Sequence, residues 1–197
     1  RFHVLAELTR LRRAACHPHL VAPEFKLHGA KLDQLLELVQ ELKENRHRVL
    51  VFSQFTDYLA LVRAAFDQAG IGYQYLDGST PAKAREQAVS DFQAGAGDAF
   101  LLSLKAGGVG LNLTAADYVI HLDPWWNPAV EQQATDRAHR IGQTRPVTVY
   151  KLIVKGSIEE QILQLHGSKR ELVDSVLGEQ DVAQGLSVEE LVGLLNG

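Results

Sequence analysis

Short apolar runs alternate along the chain with longer segments in which apolar residues recur every three or four positions. The short runs predict buried strands, and the periodic segments predict amphipathic helices. The predicted strands are 48–52, 71–76, 99–103, 118–122 and 147–154. The predicted helices are 31–45, 56–69, 80–94 and 128–141, followed by two C-terminal helices that begin at capping boxes at Ser157 and Ser187.

Two further helix ends carry local signals. Gly70 stands where a left-handed C-cap belongs, after the helix 56–69. Thr80 followed by Pro81 predicts a helix start with Thr80 as the N-cap and Pro81 as the first helical residue. These signals separate the elements into alternating strands and helices.

Strands separated by helices imply right-handed crossovers and a parallel sheet that is covered on both faces. In such sheets, binding and catalytic sites form at the carboxyl ends of the strands. We therefore expect the functional residues in the loops that follow the strands, at 53–54, 77–79, 104–110 and 123–127.

The amino-acid composition excludes several classes of protein. A chain of 197 residues, 46% hydrophobic and 22% charged, fits one domain with appendages and excludes wholesale disorder. No apolar run approaches the roughly 20 residues of a membrane helix. The formal net charge of −4 excludes a globally basic nucleic-acid binder, so any such binding must use a local patch. Because the sequence contains no methionine, we expect it to be part of a longer polypeptide.

The most informative segment is 133–143, QATDRAHRIGQ. On a helix, Gln133, Arg137 and Arg140 would share one face. Two guanidinium groups this close repel each other unless an anion lies between them, and a phosphate fits their planar donors. The alternative is a solvated arginine face with Asp136 as its partner.

Two loops add chemistry. In 103–112 (SLKAGGVGLN), glycines after a strand allow backbone N–H groups to approach a phosphate, although a tight turn explains the same residues. In 123–128 (DPWWNP), two adjacent tryptophans cannot easily share one buried face. One can pack while the other is offered to a partner; alternatively, both cap the core.

Small polar residues also follow the first two strands, at Ser53, Gln54, Gly78 and Ser79. Such groups hold phosphates without reading bases, although ordinary turn chemistry explains them equally well. The cluster 16–19 (CHPH) contains the only cysteine and has no spaced partner pair, so we predict no metal site and no intrachain disulfide.

Together these segments resemble the second ATPase lobe of the switch/sucrose-nonfermenting (SWI/SNF) family of superfamily-two DNA translocases. The resemblance runs nearly end to end and is most specific in the last two of its motifs. The matching segments are the lead-in 8–20, motif IV at 48–59, motif V and its extension at 103–128, motif VI at 133–143, and the following strand and helix at 149–163.

The resemblance implies a RecA-like α/β lobe, with ATP bound between it and a first lobe. Arg137 and Arg140 would be arginine fingers, and Gly108, Gly110, Asn112 and Gln133 would lie near the nucleotide. No Walker A or Walker B sequence is present, so the first lobe would hold Mg²⁺. The implied contacts to DNA are Ser53, Gln54, Gly78, Ser79, Ser103, Lys105 and Trp126.

By the same resemblance, the chain would consist of a lead-in helix and linker (1–29), the helicase C-terminal lobe (30–156) and brace helices (157–197). We expect a DNA-dependent ATPase that translocates on double-stranded DNA, with the first lobe and a remodelled protein as further partners, and no activity from this chain alone. The expected location is inside the cell: cytoplasm or nucleoid in a prokaryote, nucleus in a eukaryote. The alternatives are another superfamily-two lobe, a stand-alone phosphate-binding α/β enzyme or a non-catalytic nucleic-acid-binding module.

Overall fold

The computed structural model describes residues 2–106, 110–168 and 187–193, which are built around one five-stranded sheet. All neighbouring strands are parallel, in the order β2-β3-β1-β4-β5. The predicted parallel α/β fold is confirmed. The strands are β1 (Val49–Ser53), β2 (Tyr73–Leu76), β3 (Ala99–Ser103), β4 (Tyr118–His121) and β5 (Thr148–Lys151).

Helices lie on both faces of this sheet. The main ones are α1 (Phe2–Cys16), α2 (Ala30–Glu44), α3 (Thr56–Ala69), α4 (Ala82–Gln93), α5 (Pro128–Thr135) and α6 (Ile158–Ser168). Two short 3₁₀ helices (Pro18–Leu20 and Leu104–Ala106) and a six-residue helix, α7 (Val188–Gly193), complete the described elements. No helix in the described ranges is long and apolar enough to cross a membrane.

Alternate residues of the buried central strands point to opposite faces and so build two cores. In β1, Val49 and Val51 pack into the core that α2 and α3 cover, whereas Leu50 and Phe52 pack into the core that α4 and α5 cover. A smaller third cluster joins Leu8 of α1 to the apolar face of α6. This cluster packs α1 against α6.

One predicted helix end and one predicted helix start are confirmed. Gly70 adopts the left-handed conformation (φ 65°) at the end of α3, as its position predicts. At the start of α6, Ser157 Oγ accepts from the Glu159 N–H at 3.1 Å and the Glu160 carboxylate accepts from the Gly156 N–H at 2.8 Å. Ser157 therefore caps α6 as predicted, although Glu160 binds the N–H of Gly156 instead of the N–H of Ser157 that a standard capping box uses.

Other predicted bounds are wrong. Thr80 does not cap α4, because its hydroxyl accepts from the Asp77 N–H at 3.1 Å, and the helix starts at Ala82. The last strand covers only four residues, Thr148–Lys151. Helix α5 ends at Thr135, six residues before the predicted end, so Arg137 and Arg140 follow the helix. The predicted end of the first C-terminal helix and the loop 178–186 lie outside the described residues.

Candidate functional site

The carboxyl ends of the parallel strands bring the predicted DNA-contact residues to one edge of the sheet. Ser53 and Ser103 end the adjacent strands β1 and β3 and pair in register. Gln54 and Lys105 follow these strands, and the turn at Gly78 and Ser79 follows β2, the outer neighbour of β3. The predicted polar residues therefore line a single edge, which we call the carboxyl edge.

The side chains at this edge differ in exposure. Gly78, Ser79 and Lys105 are exposed and Gln54 is half-buried, whereas Ser53 and Ser103 are buried. The Ser53 hydroxyl donates to Asp123 Oδ1 at 2.5 Å. The Ser103 hydroxyl accepts from the Lys105 N–H at 3.2 Å. Both serine hydroxyls thus stabilise the loops of the edge from inside.

The turn after β2 is ordered by Asp77. Its Oδ1 accepts from the Ser79 N–H at 2.8 Å and from the Ser79 hydroxyl at 2.6 Å, and its Oδ2 accepts from the Tyr75 hydroxyl at 2.8 Å. The hydrogen bonds from the Ser79 and Tyr75 side chains lower the pKa of Asp77 to about 2. The carboxylate therefore stays charged and holds Ser79 at the surface.

The two adjacent tryptophans occupy different environments. Trp125 is buried in the core beneath α4 and α5, whereas Trp126 is half-buried against the third cluster, beside Leu8, Ile158 and Ile162. The sequence left open whether one tryptophan packs or both do. The structure packs Trp125 and leaves part of Trp126 accessible.

The motif VI arginines lie close together although they are not on a helix. Arg137 is half-buried, with its guanidinium 5.6 Å from the centre of the Phe52 ring. Burial lowers the pKa of Arg137, and the positive charges of Arg140 and Arg85 lower it further. Arg140 is exposed, and its Nη1 donates to the Leu111 carbonyl at 3.2 Å. Three guanidinium groups therefore contribute positive potential at one place.

Asp136 does not take the partner role that the alternative interpretation gave it. Its Oδ1 accepts from Gln132 Nε2 at 2.9 Å. Within the part of the chain that the structure describes, Arg140 makes no ion pair within 4.0 Å. The exposed Arg140 guanidinium can therefore accept an anion.

The residues that follow the glycine-rich loop are hydrogen-bonded to the arginine segment. The Leu113 N–H donates to the Arg137 carbonyl at 2.9 Å. Gln143 Nε2 donates to the carbonyls of Thr114, Ala116 and Ala138 at 3.0, 2.8 and 3.0 Å. Residues after the loop thus fix the position of Arg137, which links the predicted motifs V and VI in space.

The predicted nucleotide-binding residues are placed only in part. Gly110 has φ 113°, a conformation that favours glycine, and Asn112 is exposed. Gln133 is exposed on α5. Gly108 lies outside the described residues. The structure therefore places Gly110 and Asn112 near the arginine segment and leaves the role of Gln133 as a prediction.

Arg85 lies beside the candidate site and was missed by sequence reasoning. It lies on α4, and its guanidinium donates to the Ala106 carbonyl, at the start of the glycine-rich loop. Its charge also acts on Arg137. The available signal was its spacing, since Arg85 shares the buried face of α4 with Ala88, Val89 and Phe92.

A buried set of charges beneath the tryptophans was also missed. Lys31 Nζ lies 2.6 Å from both carboxylate oxygens of Glu159, and both side chains are almost completely buried. Arg12 and Asp123 are buried beside them. Cys16 is buried here too, and burial raises the pKa of its thiol well above the ordinary value. No three His, Cys, Asp or Glu side chains within the described ranges form a group that could hold a metal ion.

We next compared the chain with known protein families, proteins and structures. The family model of the helicase conserved C-terminal domain matches residues 30–142. The chromatin-remodeling ATPase INO80 of Drosophila melanogaster is 45% identical over 96% of this chain, which covers 12% of that protein. Eight curated relatives are each 41–45% identical, and the chain spans between 8% and 21% of their lengths.

Two solved structures from Sulfolobus solfataricus are similar over 97% of this chain. The SWI2/SNF2 ATPase C-terminal domain is 32% identical, with a TM-score of 0.75 and 80% of its chain covered. The SWI2/SNF2 ATPase core in complex with double-stranded DNA is 36% identical, with a TM-score of 0.79 and 41% of its chain covered.

Proposed function

The chain belongs to the helicase conserved C-terminal domain family, as the RecA-like C-terminal lobe of a SWI/SNF-type ATPase. From this family membership we propose that the chain works as one half of a DNA-dependent ATPase. In this function the lobe supplies arginine fingers to ATP bound on a first lobe and contacts the backbone of double-stranded DNA. Alone, the lobe would neither hydrolyse ATP nor translocate.

The clustering of Arg137, Arg140 and Arg85 carries this proposal. Burial lowers the pKa of Arg137, and the charges of Arg140 and Arg85 lower it further, so a polyphosphate bound here would offset the repulsion among the three cations. Guanidinium groups also match the oxygens of a transferring phosphoryl group. In related ATPases such a finger accelerates hydrolysis by about 10³–10⁵-fold.

Mg²⁺ does not fit the residues of this lobe. The charged groups beside the glycine-rich loop are cationic, and the residues that the structure describes contain no metal-ligating cluster. We expect acidic residues of the first lobe to hold the ion, which would neutralise charge on the phosphates. The contribution of this lobe is then to orient two arginines toward the phosphoryl group and to exclude water from it.

The carboxyl edge supports contact with DNA phosphates. Ser79 and Lys105 are exposed there, and Gln54 lies between them and the tryptophans. These groups fit phosphate oxygens and cannot distinguish base pairs, so binding would be independent of sequence and sensitive to salt. Trp126, which is partly accessible, would reach the duplex from the same edge.

Movement would follow from the difference between the two nucleotide states. With ATP bound, the fingers favour a closed pair of lobes; after hydrolysis the attraction weakens and the lobes separate. DNA contacts on the two lobes would then alternate. The partners that we propose are therefore double-stranded DNA and the first lobe.

The test uses the two-lobed protein, meaning a polypeptide in which this lobe follows its first lobe. We expect Arg137→Ala and Arg140→Ala each to lower DNA-stimulated kcat by about 10³-fold or more, because a group that stabilises only the transition state is lost. ATP binding, measured with a fluorescent nucleotide, should weaken only a few-fold.

Arg145→Ala is the matched control, because this exposed arginine follows the same segment and binds Asp117 at 3.3 Å. It should keep DNA-stimulated turnover close to the wild-type rate. Wild-type turnover in both Arg137→Ala and Arg140→Ala would refute the finger assignment.

A further inference from the structure

The loop 122–127, which we call the tryptophan loop, is held by basic side chains from three helices. Three of its backbone carbonyls each accept a hydrogen bond from a different helix. The pairs are Leu122 with Lys31 Nζ of α2 at 2.6 Å, Pro124 with Arg12 Nη2 of α1 at 2.9 Å, and Trp125 with His166 Nε2 of α6 at 2.5 Å. An ordinary surface loop would bind water at these carbonyls instead.

Arg12 makes the most extensive of these contacts. Only 3% of its surface is exposed, and its guanidinium carbon lies 4.9 Å from the ring centre of Trp126, 5.5 Å from that of Trp125 and 5.6 Å from that of Phe55. A planar guanidinium can stack on aromatic rings while its N–H groups donate within its own plane. One side chain therefore fixes both the backbone and the rings of the loop.

The loop is also joined to the carboxyl edge. Asp123 is buried, and its carboxylate accepts from the Ser53 hydroxyl at 2.5 Å and from the Gln54 N–H at 3.2 Å. Burial raises the pKa of Asp123, while Ser53, Arg12 and Lys31 favour its charged form. Arg12 thus stabilises the carboxylate that positions Gln54 as well as the ring of Trp126.

Arg12 and His166 both lie outside residues 30–142, the range of the family match. The helices that carry them, α1 and α6, pack on each other through the third cluster, with Trp126 against it. A plain helical cap would need only the apolar contacts of this cluster. The buried polar contacts to the tryptophan loop indicate a second role for these helices.

We propose that Arg12 is a positioning residue, which holds Trp126 and Gln54 in the arrangement that contacts DNA. This proposal rests on the DNA contacts of the proposed function. Arg12 does not touch DNA itself, because it is buried beneath the ring. Its loss should therefore free Trp126 and weaken the coupling of hydrolysis to movement.

A spectroscopic test isolates the positioning step. The chain contains only two tryptophans, so Trp125→Phe leaves Trp126 as the sole reporter. In this background, Arg12→Met should shift the Trp126 emission to the red and increase its quenching by acrylamide. Arg10→Met, which removes an exposed arginine from the same helix, should leave both signals unchanged.

The conservative variant separates positioning from charge balance. Arg12→Lys keeps the positive charge near Asp123 but cannot stack as a plane on the rings. We expect it to recover most of the unfolding free energy lost in Arg12→Met and to keep the red-shifted, quenchable Trp126. Full recovery of the Trp126 signal in Arg12→Lys would overturn the inference.

The functional test uses the two-lobed protein. It measures how much of a third DNA strand, bound to the duplex as a triplex, is displaced for each ATP hydrolysed. Arg12→Lys should lower displacement per ATP by about tenfold, the change expected when contacts worth about 1.4 kcal/mol are lost. Combined with Trp126→Ala, it should add no further loss, because the lysine keeps the charge beside Asp123 that positions Gln54, and only the contact with the Trp126 ring is lost.

The experiments distinguish failure of the positioning role of Arg12 from failure of the DNA contact of Trp126. A large effect of Trp126→Ala without any effect of Arg12→Lys would overturn the positioning role and leave the DNA contact intact. No effect of Trp126→Ala would remove Trp126 from the DNA site and overturn both. Additive losses in the double variant would likewise overturn the positioning role.

Discussion

Lys31→Met removes the cation of the most deeply buried ion pair among the described residues. Its ammonium lies 2.6 Å from both Glu159 oxygens, with side-chain exposures of 3% and 0%, and also donates to the Leu122 carbonyl at 2.6 Å. Removing one partner of such a pair leaves a buried charge without compensation, at a cost of about 3–5 kcal/mol. For a chain of this size, the melting temperature should fall by about 6–20 °C.

Urea unfolding followed by circular dichroism measures this loss. Lys43→Met is the matched control on the same helix, since Lys43 pairs with Asp98 at 3.3 Å with about a third of each side chain exposed. A partly exposed pair of this kind contributes about 0–1 kcal/mol. Glu159→Gln in the Lys31→Met background should recover part of the loss, because the amide oxygen can still accept from the Val154 N–H.

The pH dependence of the loss has a defined sign. Burial raises the pKa of Glu159 above its ordinary value of 4.5, and Lys31 offsets part of this. Without Lys31 the pKa of Glu159 rises further, so the folded variant binds a proton that the unfolded chain does not bind. The stability deficit of Lys31→Met should therefore shrink as the pH falls from neutral toward the ordinary pKa of Glu159. A deficit that equals that of Lys43→Met, or that grows at low pH, would refute this reasoning.

Three further results are expected. An NMR titration should give Asp77 a pKa of about 2, so the stability that Asp77 adds above pH 3.8 should be lost as the pH falls toward 2. Ser79→Ala should move the pKa of Asp77 toward the ordinary 3.8, because the hydrogen bond from the Ser79 side chain is lost. Ser53→Ala should lower the unfolding free energy by about 1–3 kcal/mol in urea titrations, because buried Asp123 loses a donor; an unchanged value would contradict this. In the two-lobed protein, Arg85→Met should lower DNA-stimulated kcat by about tenfold in a steady-state assay, because a cation beside the fingers is lost, and an unchanged kcat would exclude Arg85 from the site.

Local patterns were sufficient to predict the sheet and the edge where the polar residues meet. Apolar runs separated by helices favour parallel strands, and parallel strands end at a common edge. Gln54, Ser79 and Lys105 could therefore be placed together without knowledge of the strand order. Neither the strand order nor the burial of Ser53 followed from these patterns, because both depend on contacts between distant parts of the chain.

The length of α5 shows where periodicity fails. Val130, Ala134 and Ala138 keep helical spacing, which predicted one helix through Ile141. In the structure, the Arg137 carbonyl accepts from the Leu113 N–H, which is 24 positions away, instead of from the next helical turn. A contact between two motifs thus ends the helix, and no pattern within the helix reveals it.

The missed residues share one sequence feature. Arg12, Lys31 and Arg85 each occupy a position at which the spacing of apolar neighbours predicts a buried residue. A charge at such a position indicates a buried partner but does not identify it. The partners lie far along the chain, 112 positions away for Arg12 with Pro124 and 128 for Lys31 with Glu159.

The position of the two motif VI guanidinium groups around a bound nucleotide can be observed directly. The two-lobed protein would be crystallised with DNA, Mg²⁺, ADP and a fluoride mimic of the transferring phosphoryl group. Arg137 and Arg140 should each place a guanidinium nitrogen about 2.7–2.9 Å from the mimic. If both side chains instead point into solvent in that complex, this lobe does not supply the fingers.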